Sequence, residues 1–231
     1  MRLRLTHRAA ALLLALPLVV ARTVHADPVR LVAADDRGVT LELTLPHYTV
    51  GPAGADGRSR LTAPGLTANT LPGRPVLPAA TTLVALPPGA IPVLGAVDGD
   101  AEEVRDGVHL WLGDRRAFTQ DPQGLGWVPT AERAEPIRDG AWPARPIELG
   151  TPFTLRGQRM VMVRIQPFRY DEAAARLWAR RRLRVRIEFA GAAAGSGAVA
   201  PTPEDRHWDP VLRGAVLNYE QGRRWRTARP A

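Results

Sequence analysis

Residues able to do chemistry are few in this chain and widely spaced. It contains no cysteine, which excludes a cysteine nucleophile, a thiolate zinc site and an iron–sulfur cluster. Beyond the N-terminal leader described below it has only His47, His109 and His207, and none of them stands in HExxH or another metal-closing spacing. Ser59, in the segment GRSR, lacks the second glycine of a nucleophile elbow. The sequence therefore predicts no catalytic residue, no metal site and no cofactor.

Two clusters of charge have ordinary structural explanations. Four carboxylates lie within VDGDAEEV (residues 97–104), but their spacing is not that of an EF-hand loop, so a solvated turn is the better interpretation. Arginines alternate along the segment Leu183–Phe189 without interleaved aromatic residues. Because the protein is also predicted to be exported, this face is interpreted as a solvated strand face and not as a nucleic-acid site.

The first 26 residues have the pattern of a secretory signal peptide. Arginines occupy the segment Met1–Arg8, the stretch Ala9–Ala21 is apolar, and Val24-His25-Ala26 offers small residues where a signal peptidase reads. We expect cleavage after Ala26 and a secreted, periplasmic or extracellular protein. The apolar run is too short for a comfortable membrane anchor, and no later stretch reaches transmembrane length, so no membrane association is expected after cleavage.

The charge of the chain is mild once the leader is set aside. The full chain has 31 basic and 23 acidic residues, a net charge of +8. Four arginines and no acidic residue leave with the leader, which lowers the net charge to +4. Without cysteines there can be no disulfides, so stability must come from burial of an apolar core. About two hundred residues suffice for one domain of sandwich size.

The clearest structural pattern is a strict alternation near the end of the domain. Leu183, Val185, Ile187 and Phe189 fall on one face of a strand and charged residues on the other. The segment Arg159–Gln166 alternates in the same way, so we expect the two segments to pair as an antiparallel hairpin connected by PFRYDEAAAR. A hairpin with one apolar face needs further sheet to cover it.

Upstream segments supply that cover. Strand patterns, separated by turn residues, recur along the chain, and prolines at their ends suit edge strands and strand starts. The predicted strands lie within residues 29–33, 39–45, 81–86, 91–97 and 108–112, with a hairpin turn at residues 35–38. The sequence therefore predicts an all-β domain over residues 27–190, an antiparallel two-sheet β-sandwich.

Two regions fall outside this regular pattern. The connection from Gly113 to Arg145 is rich in proline and glycine, and compact domains seldom keep so long an irregular connection unless it has a function or is disordered. Residues 191–203, GAAAGSGAVAPTP, have the composition of a flexible linker. Residues 204–231 form a C-terminal junction segment with three aromatic residues, for which we expect a short helix around Asp209–Val216 or a path wrapped over another surface.

Three longer motifs occur in order along the chain. They are GRPVLPAATTLVALPPGA at Gly73–Ala90, LGTPFTLRGQRMVMVRIQPFRYDEAAARLWARRRLRVRIEFAG at Leu149–Gly191, and VLNYEQGRRWR at Val216–Arg226. Together they resemble blocks of the propeptides of gingipain-type cysteine peptidases, the C25 family. Tyr170-Asp171-Glu172 stands where the family usually has Tyr-Asn-Pro, which changes the tip of the hairpin and leaves its strands.

The resemblance implies an exported precursor whose β-sandwich propeptide covers a caspase-like peptidase with a Cys–His dyad. The propeptide acts as an intramolecular chaperone and keeps the enzyme latent. A chain without cysteine cannot supply that catalysis, so the resemblance implies a non-catalytic module. Its partner would be a cognate caspase-like peptidase domain, supplied in cis by a longer precursor or in trans.

Arginines in the Gly113–Arg145 connection are the candidate contacts with that partner. One of them would enter a pocket whose carboxylate grips the planar guanidinium; the alternative for each is a solvated loop arginine. The candidates are Arg115 and Arg116, which directly follow a predicted strand, and then Arg133 and Arg138. By analogy with the family, Arg223, Arg224 and Arg226 resemble a processing junction.

A rival interpretation is an exported structural or ligand-binding β-sandwich, such as an adhesion or carbohydrate-binding module. Modules of that kind usually present a row of exposed aromatic side chains. The candidates here are Trp111, Trp127, Trp142, Trp178, Trp208 and Trp225. They are scattered along the sequence, which favours the propeptide interpretation.

Overall fold

The described part of the chain consists of strands followed by a short helical segment. The computed structural model describes residues 27–71, 73–113, 116–120, 127–131, 140–192 and 203–227. The strands of the first half are β1 (Val29–Asp35), β2 (Gly38–Thr44), β3 (Thr49–Val50), β4 (Leu61–Thr62), β5 (Thr67–Asn69), β6 (Leu77–Ala85), β7 (Ile91–Gly99) and β8 (Glu103–Arg105). Those of the second half are β9 (Arg116–Gln120), β10 (Trp127–Ala131), β11 (Ile147–Leu149), β12 (Phe153–Leu155), β13 (Gln158–Ile165), β14 (Phe168–Asp171), β15 (Arg176–Ala179) and β16 (Arg182–Ala190). The C-terminal segment contains α1 (Pro203–Ala215), α2 (Tyr219–Gly222) and the 3-10 turn η1 (Arg223–Trp225).

Two antiparallel sheets share one apolar core. The first has the strand order β1-β2-β16-β7, and the second has the order β11-β13-β6-β5, with β12 also paired to β13. A three-stranded sheet, β14-β15-β8, adds its buried face to the same core, while β3–β4 and β9–β10 are separate hairpins. This architecture confirms the predicted all-β, sandwich-like fold.

The core lies between the alternating faces that the sequence marks. On β16, Leu183, Val185 and Ile187 are fully buried, and the arginines between them face outward. Val161, Val163 and Ile165 of β13 are buried in the same cluster. Each such side chain contributes about 1.5–3 kcal/mol on burial. Packing of these two faces therefore supplies the stability that a chain without disulfides needs.

The expected hairpin between Arg159–Gln166 and Leu183–Phe189 is wrong. β13 pairs with β6, β11 and β12, whereas β16 pairs with β2 and β7. The intervening residues form a hairpin of their own, β14–β15, with Phe168 opposite Ala179. This hairpin carries the chain from one sheet to the other. The apolar faces of β13 and β16 consequently meet across the core, and sequence alternation alone could not distinguish facing strands from paired ones.

Three local expectations can be compared with the structure. The turn at residues 35–38 is confirmed, because Asp35 pairs with Gly38 at the end of the β1–β2 hairpin. Residues 108–112 do not form a ladder strand; Leu110 and Leu112 make only isolated bridges, to Ser59 and Pro75. The helix expected around residues 209–216 is present and starts earlier, at Pro203.

A chain of ion pairs crosses the outer face of the first sheet. Glu42 of β2 accepts hydrogen bonds from the Nε atoms of Arg30 (2.9 Å) and Arg184 (3.0 Å), which flank it on β1 and β16. These two bonds hold the pKa of the Glu42 carboxyl below its ordinary value. Arg186 lowers the pKa of Asp35 in the same way, and beside this face Arg181 lowers the pKa of Glu103 on β8 of the three-stranded sheet. Arginine on this face therefore works as a structural cation that joins neighbouring strands.

We expect the domain to lose stability in acid because of these pairs. A carboxyl whose pKa is lower in the folded state stabilises the fold above its unfolded pKa, and that contribution disappears as pH falls through the folded value. The free energy of unfolding should therefore decrease below pH ~4.3, the ordinary value for glutamate. Urea denaturation between pH 7 and pH 2 measures this. Glu42→Gln should be less stable at pH 7 and show a flatter acid dependence; identical pH profiles for the two proteins would contradict the assignment.

Candidate functional site: the base of the connection and the C-terminal segment

The residues singled out for conventional chemistry do not assemble into a reactive centre. Within the described ranges no three His, Cys, Asp or Glu side chains come together in a way that could hold a metal ion. Ser59 and His109 meet only through their backbones, with the Ser59 N–H donating to the His109 carbonyl oxygen at 2.7 Å. The helices of the described residues also include none of the length and apolarity that would cross a membrane.

Tyr170 holds both ends of the Gly113–Arg145 connection. Its buried hydroxyl donates to the carbonyl oxygen of Val108 (2.9 Å) and accepts from the N–H of Leu110 (3.3 Å), just before the connection begins. Its backbone exchanges two 2.8 Å hydrogen bonds with Trp142, where the connection returns to the body. Burial raises the pKa of the Tyr170 hydroxyl, which keeps the donor protonated at neutral pH. One residue on β14, through its side chain and its backbone, thus ties together two segments more than thirty residues apart.

Further contacts fix the same base. The Gly113 N–H donates to the backbone carbonyl oxygen of Arg74 (2.8 Å), and the Gly113 carbonyl oxygen accepts from the N–H of Gly73 (2.9 Å). A Cβ at position 113 would lie 2.3 Å from the carbonyl oxygen of Leu71, so only glycine allows this approach. The Trp142–Pro143 peptide bond on the returning side is cis. The hydrogen bonds of Tyr170 and Gly113 therefore anchor the base of the connection.

The arginines predicted to contact a partner lie in or beside this connection. Arg116 is the first residue of β9, where its backbone pairs with Ala131 of β10. Arg115, Arg133 and Arg138 lie outside the described residues, as does Ala26 of the predicted signal cleavage site. Within the connection, β9 and β10 thus pair as antiparallel strands, where sequence analysis predicted only an irregular loop.

The C-terminal segment packs closely on the sandwich. Strand β5 covers the edge of β6 only at residues 77–79, and beyond that point the tail takes over. Val216 bridges Leu83 in parallel, and the N–H of Leu217 donates to the Leu83 carbonyl oxygen at 3.0 Å. An apolar cluster made of Ala85, Met160, Leu212, Val216 and Tyr219 fixes the segment above the sheet. The tail therefore closes a sheet edge that would otherwise expose unpaired backbone groups.

Asn218 completes this closure with its side chain. Its Oδ1 accepts from the N–H of Ala85 (2.7 Å) and its Nδ2 donates to the carbonyl oxygen of the same residue (3.0 Å), so the amide replaces a backbone partner. Asn218 and Ala85 are both buried. Gly222 is required beside them, since a Cβ there would lie 2.3 Å from the Ala85 Cβ. The asparagine and glycine of VLNYEQGRRWR thus have a structural role that the sequence did not reveal.

The three tail arginines lie in different environments. Arg223 and Arg224 are exposed on η1. Arg226 has only 8% of its side chain exposed and donates to Asp209 (2.6 Å) and to the Tyr219 hydroxyl (3.3 Å). Arg226 therefore joins the end of the tail to its own first helix, while Arg223 and Arg224 face solvent.

The described tryptophan side chains do not form an exposed aromatic row. Each is half-buried and has a partner inside the fold. Arg60 lies 4.3 Å from the centroid of Trp111, Arg169 lies 4.5 Å from that of Trp178, Arg156 lies 5.1 Å from that of Trp208, Trp142 packs against the core, and Trp225 contacts Phe189 edge to face. This arrangement lacks the aromatic surface expected of a carbohydrate-binding module.

Removal of the Tyr170 hydroxyl should measure how strongly the base is held. Tyr170→Phe leaves the Leu110 N–H and the Val108 carbonyl oxygen unpaired in the interior, and we expect a loss of about 1–3 kcal/mol in the free energy of unfolding. Tyr48→Phe is the control, because the Tyr48 hydroxyl makes one 3.3 Å bond to the half-exposed Glu103. Urea denaturation of both variants checks this; equal losses would show that Tyr170 has no special role.

Asn218→Ala should loosen the C-terminal segment. The change leaves the N–H and carbonyl of Ala85 without partners, at a cost of about 2–3 kcal/mol. Limited trypsin digestion should then cut after Arg223 and Arg224 much faster than in the unmodified chain. Val211→Ala is the control, since Val211 lies in the same segment, on α1, and is 56% exposed. Resistance of the Asn218 variant to trypsin would mean that other contacts hold the tail.

Comparison with solved structures finds the same fold in two gingipain prodomains. A complex of the pro- and mature domains of RgpB from Porphyromonas gingivalis matches with a TM-score of 0.64 at 18% identity, covering 85% of this chain and 100% of that chain. A structure on the zymogenic latency of gingipain K from the same organism matches with a TM-score of 0.55 at 22% identity, covering 72% of this chain and 94% of that one. At these identities the likeness establishes the fold. A search of curated proteins finds no match.

The three motifs occupy the parts of the structure described above. The first is β6 with its turn to β7, the second spans β12 to β16, and the third is the tail segment that carries Asn218. The family model described as Propeptide_C25 matches residues 58–225, a range that includes the first two motifs and all of the third except its last residue. The chain therefore belongs to the C25 propeptide family, the non-catalytic propeptide modules of C25 peptidases.

Proposed function

We propose that this module assists the folding of a gingipain-type peptidase domain and keeps it latent by covering its substrate cleft. The observation that carries the proposal is the anchored connection: its base is fixed by Tyr170, Gly113 and the Trp142 backbone, and within it β9 and β10 pair with each other. An inhibitory contact benefits from an anchored base, because a segment whose ends are held in place before binding loses less conformational entropy when it binds.

An arginine from this connection would supply the specific contact. The peptidase pocket would use a carboxylate to grip the planar guanidinium through two parallel hydrogen bonds, which lysine cannot match. Arg116 begins β9, and Arg115 directly precedes it. These two arginines are therefore the first candidates, followed by Arg133 and Arg138.

The solved complex supports a peptidase as the partner. The RgpB prodomain is recorded together with its mature domain, and the gingipain K structure concerns zymogenic latency. By extension, this module binds a cognate peptidase domain, in cis or in trans. Its place of action is outside the cytoplasm, reached through the signal peptide proposed for residues 1–26.

The C-terminal segment is the proposed processing junction. Of the three candidate arginines, Arg223 and Arg224 are exposed and Arg226 is buried against Asp209 and Tyr219. A peptidase that cuts after arginine needs the side chain in its own pocket. Arg223 and Arg224 are accordingly the better candidates while the tail is docked, and Arg226 becomes available only when it leaves Asp209.

An inhibition assay with loop variants tests the proposed function. The probe is the gingipain-type catalytic domain of the source organism, purified without its propeptide. We expect the module to inhibit it, and Arg115→Ala with Arg116→Ala to weaken inhibition about 30-fold or more, as for a central interface arginine. Replacement by lysine should restore only part of the effect, because lysine cannot form the bidentate grip.

Arg145→Ala is the matched control, because Arg145 is exposed at the base of the same connection. It should inhibit like the unmodified module. Unchanged inhibition by both the Arg115/Arg116 and the Arg133/Arg138 double variants would discard the arginine assignment. No inhibition by the unmodified module would discard the proposed function itself.

A further inference from the structure

One apolar surface of the second sheet lies uncovered beside the point where the chain leaves the sandwich. Strand β12 places Phe153 and Leu155 on the outer face, opposite Met160 and Gln158 of β13. Met162 follows Met160 on that face of β13, diagonally across from Phe153. All three are exposed: Phe153 by 39%, Leu155 by 44% and Met162 by 43%. We call Phe153, Leu155 and Met162 the β12 patch.

The tail covers the adjoining part of this face and stops short of the patch. Met160, between Phe153 and the tail, is completely buried in the cluster with Leu212, Val216 and Tyr219. The outer face of the second sheet is therefore apolar from β6 to β12, but the chain itself covers only its β6 side. Contiguous exposed apolar side chains of this kind mark interaction surfaces.

The path of the tail brings the end of the described chain to this patch. The N–H of Thr227 donates to the carbonyl oxygen of Gly157 at 3.1 Å, in the turn between β12 and β13. A Cβ at position 157 would lie 2.3 Å from the Thr227 carbonyl oxygen, and Gly157 also has a φ of +74°. The tail therefore contacts the turn so closely that position 157 requires glycine. Arg156 of the same turn also stacks over Trp208 of α1.

The place where the tail meets the turn restricts how an attached domain is connected. Thr227 lies beside Gly157, which is two residues from Leu155 in the sequence. A peptidase domain carried in cis after the tail is therefore connected to the module next to the β12 patch.

We propose that the β12 patch is the surface on which the peptidase domain docks, separate from the arginine contact of the β9–β10 connection. This inference rests on the proposed function, because it takes a peptidase domain as the partner. The patch gives the body of the module its own apolar contact with the partner. The partner surface that it fits is apolar and lies close to the N-terminus of the peptidase domain.

Binding of a patch variant to the purified catalytic domain tests this assignment. The variant combines Phe153→Ser, Leu155→Ser and Met162→Ser, and we expect its affinity, measured by titration calorimetry, to fall about 100-fold. The control combines Ile91→Ser, Val93→Ser and Val97→Ser on the edge strand β7, which are similarly exposed apolar residues in the other sheet. The control should bind like the unmodified module.

A second measurement does not depend on the variants being folded. Hydrogen exchange of the unmodified module with and without the catalytic domain should show added protection at residues 151–163. Unchanged affinity of the patch variant, or protection absent from 151–163, would overturn the docking surface and leave the proposed function intact. A patch-dependent dimer of the module alone in light scattering would instead assign the patch to a second copy. Failure of the unmodified module to bind would overturn both proposals.

Discussion

The buried hydroxyl of Tyr170 is the contact on which the functional architecture depends. The hydroxyl bonds to the carbonyl oxygen of Val108 and the N–H of Leu110, before the long connection begins. The Tyr170 backbone bonds to the backbone of Trp142, where the connection ends. Tyr170 itself belongs to the sheet that carries the chain from β13 to β16. The same residue therefore anchors the crossover between the two main sheets and the base of the long connection.

The C-terminal segment solves a second physical problem, the open edge of β6. A strand edge with unpaired N–H and carbonyl groups invites association with other chains, and β5 covers only the first three residues of β6. Leu217 and the Asn218 amide supply the missing partners, and Leu212, Val216 and Tyr219 bury the neighbouring apolar surface. The tail is thus part of the folded unit, although the linker-like composition of residues 191–203 made it look separable.

The sequence predicts the strands and the core faces well because alternation directly reports which side of a strand is buried. Leu183, Val185 and Ile187 are buried as expected. Alternation does not report which strand is hydrogen-bonded to which. For this reason the prediction wrongly paired β13 with β16, whose apolar faces match. The structural roles of residues in the candidate site were harder to predict from the sequence. The roles of Tyr170 and Asn218 depend on partners 60 and 133 residues away, and no local pattern identifies such contacts.

The position of these contacts determines what the module would keep after processing. Asn218 and the buried residues of the tail cluster all precede Arg223. A cut after Arg223 or Arg224 would therefore release only the contacts of the last residues, among them the Trp225–Phe189 packing and the Arg226–Asp209 pair. The edge of β6 would stay covered and the base of the connection, held by Tyr170, would be untouched. If the proposed cleavage takes place there, the module keeps its fold, and its release from a peptidase would be governed by the interface and not by unfolding of the module.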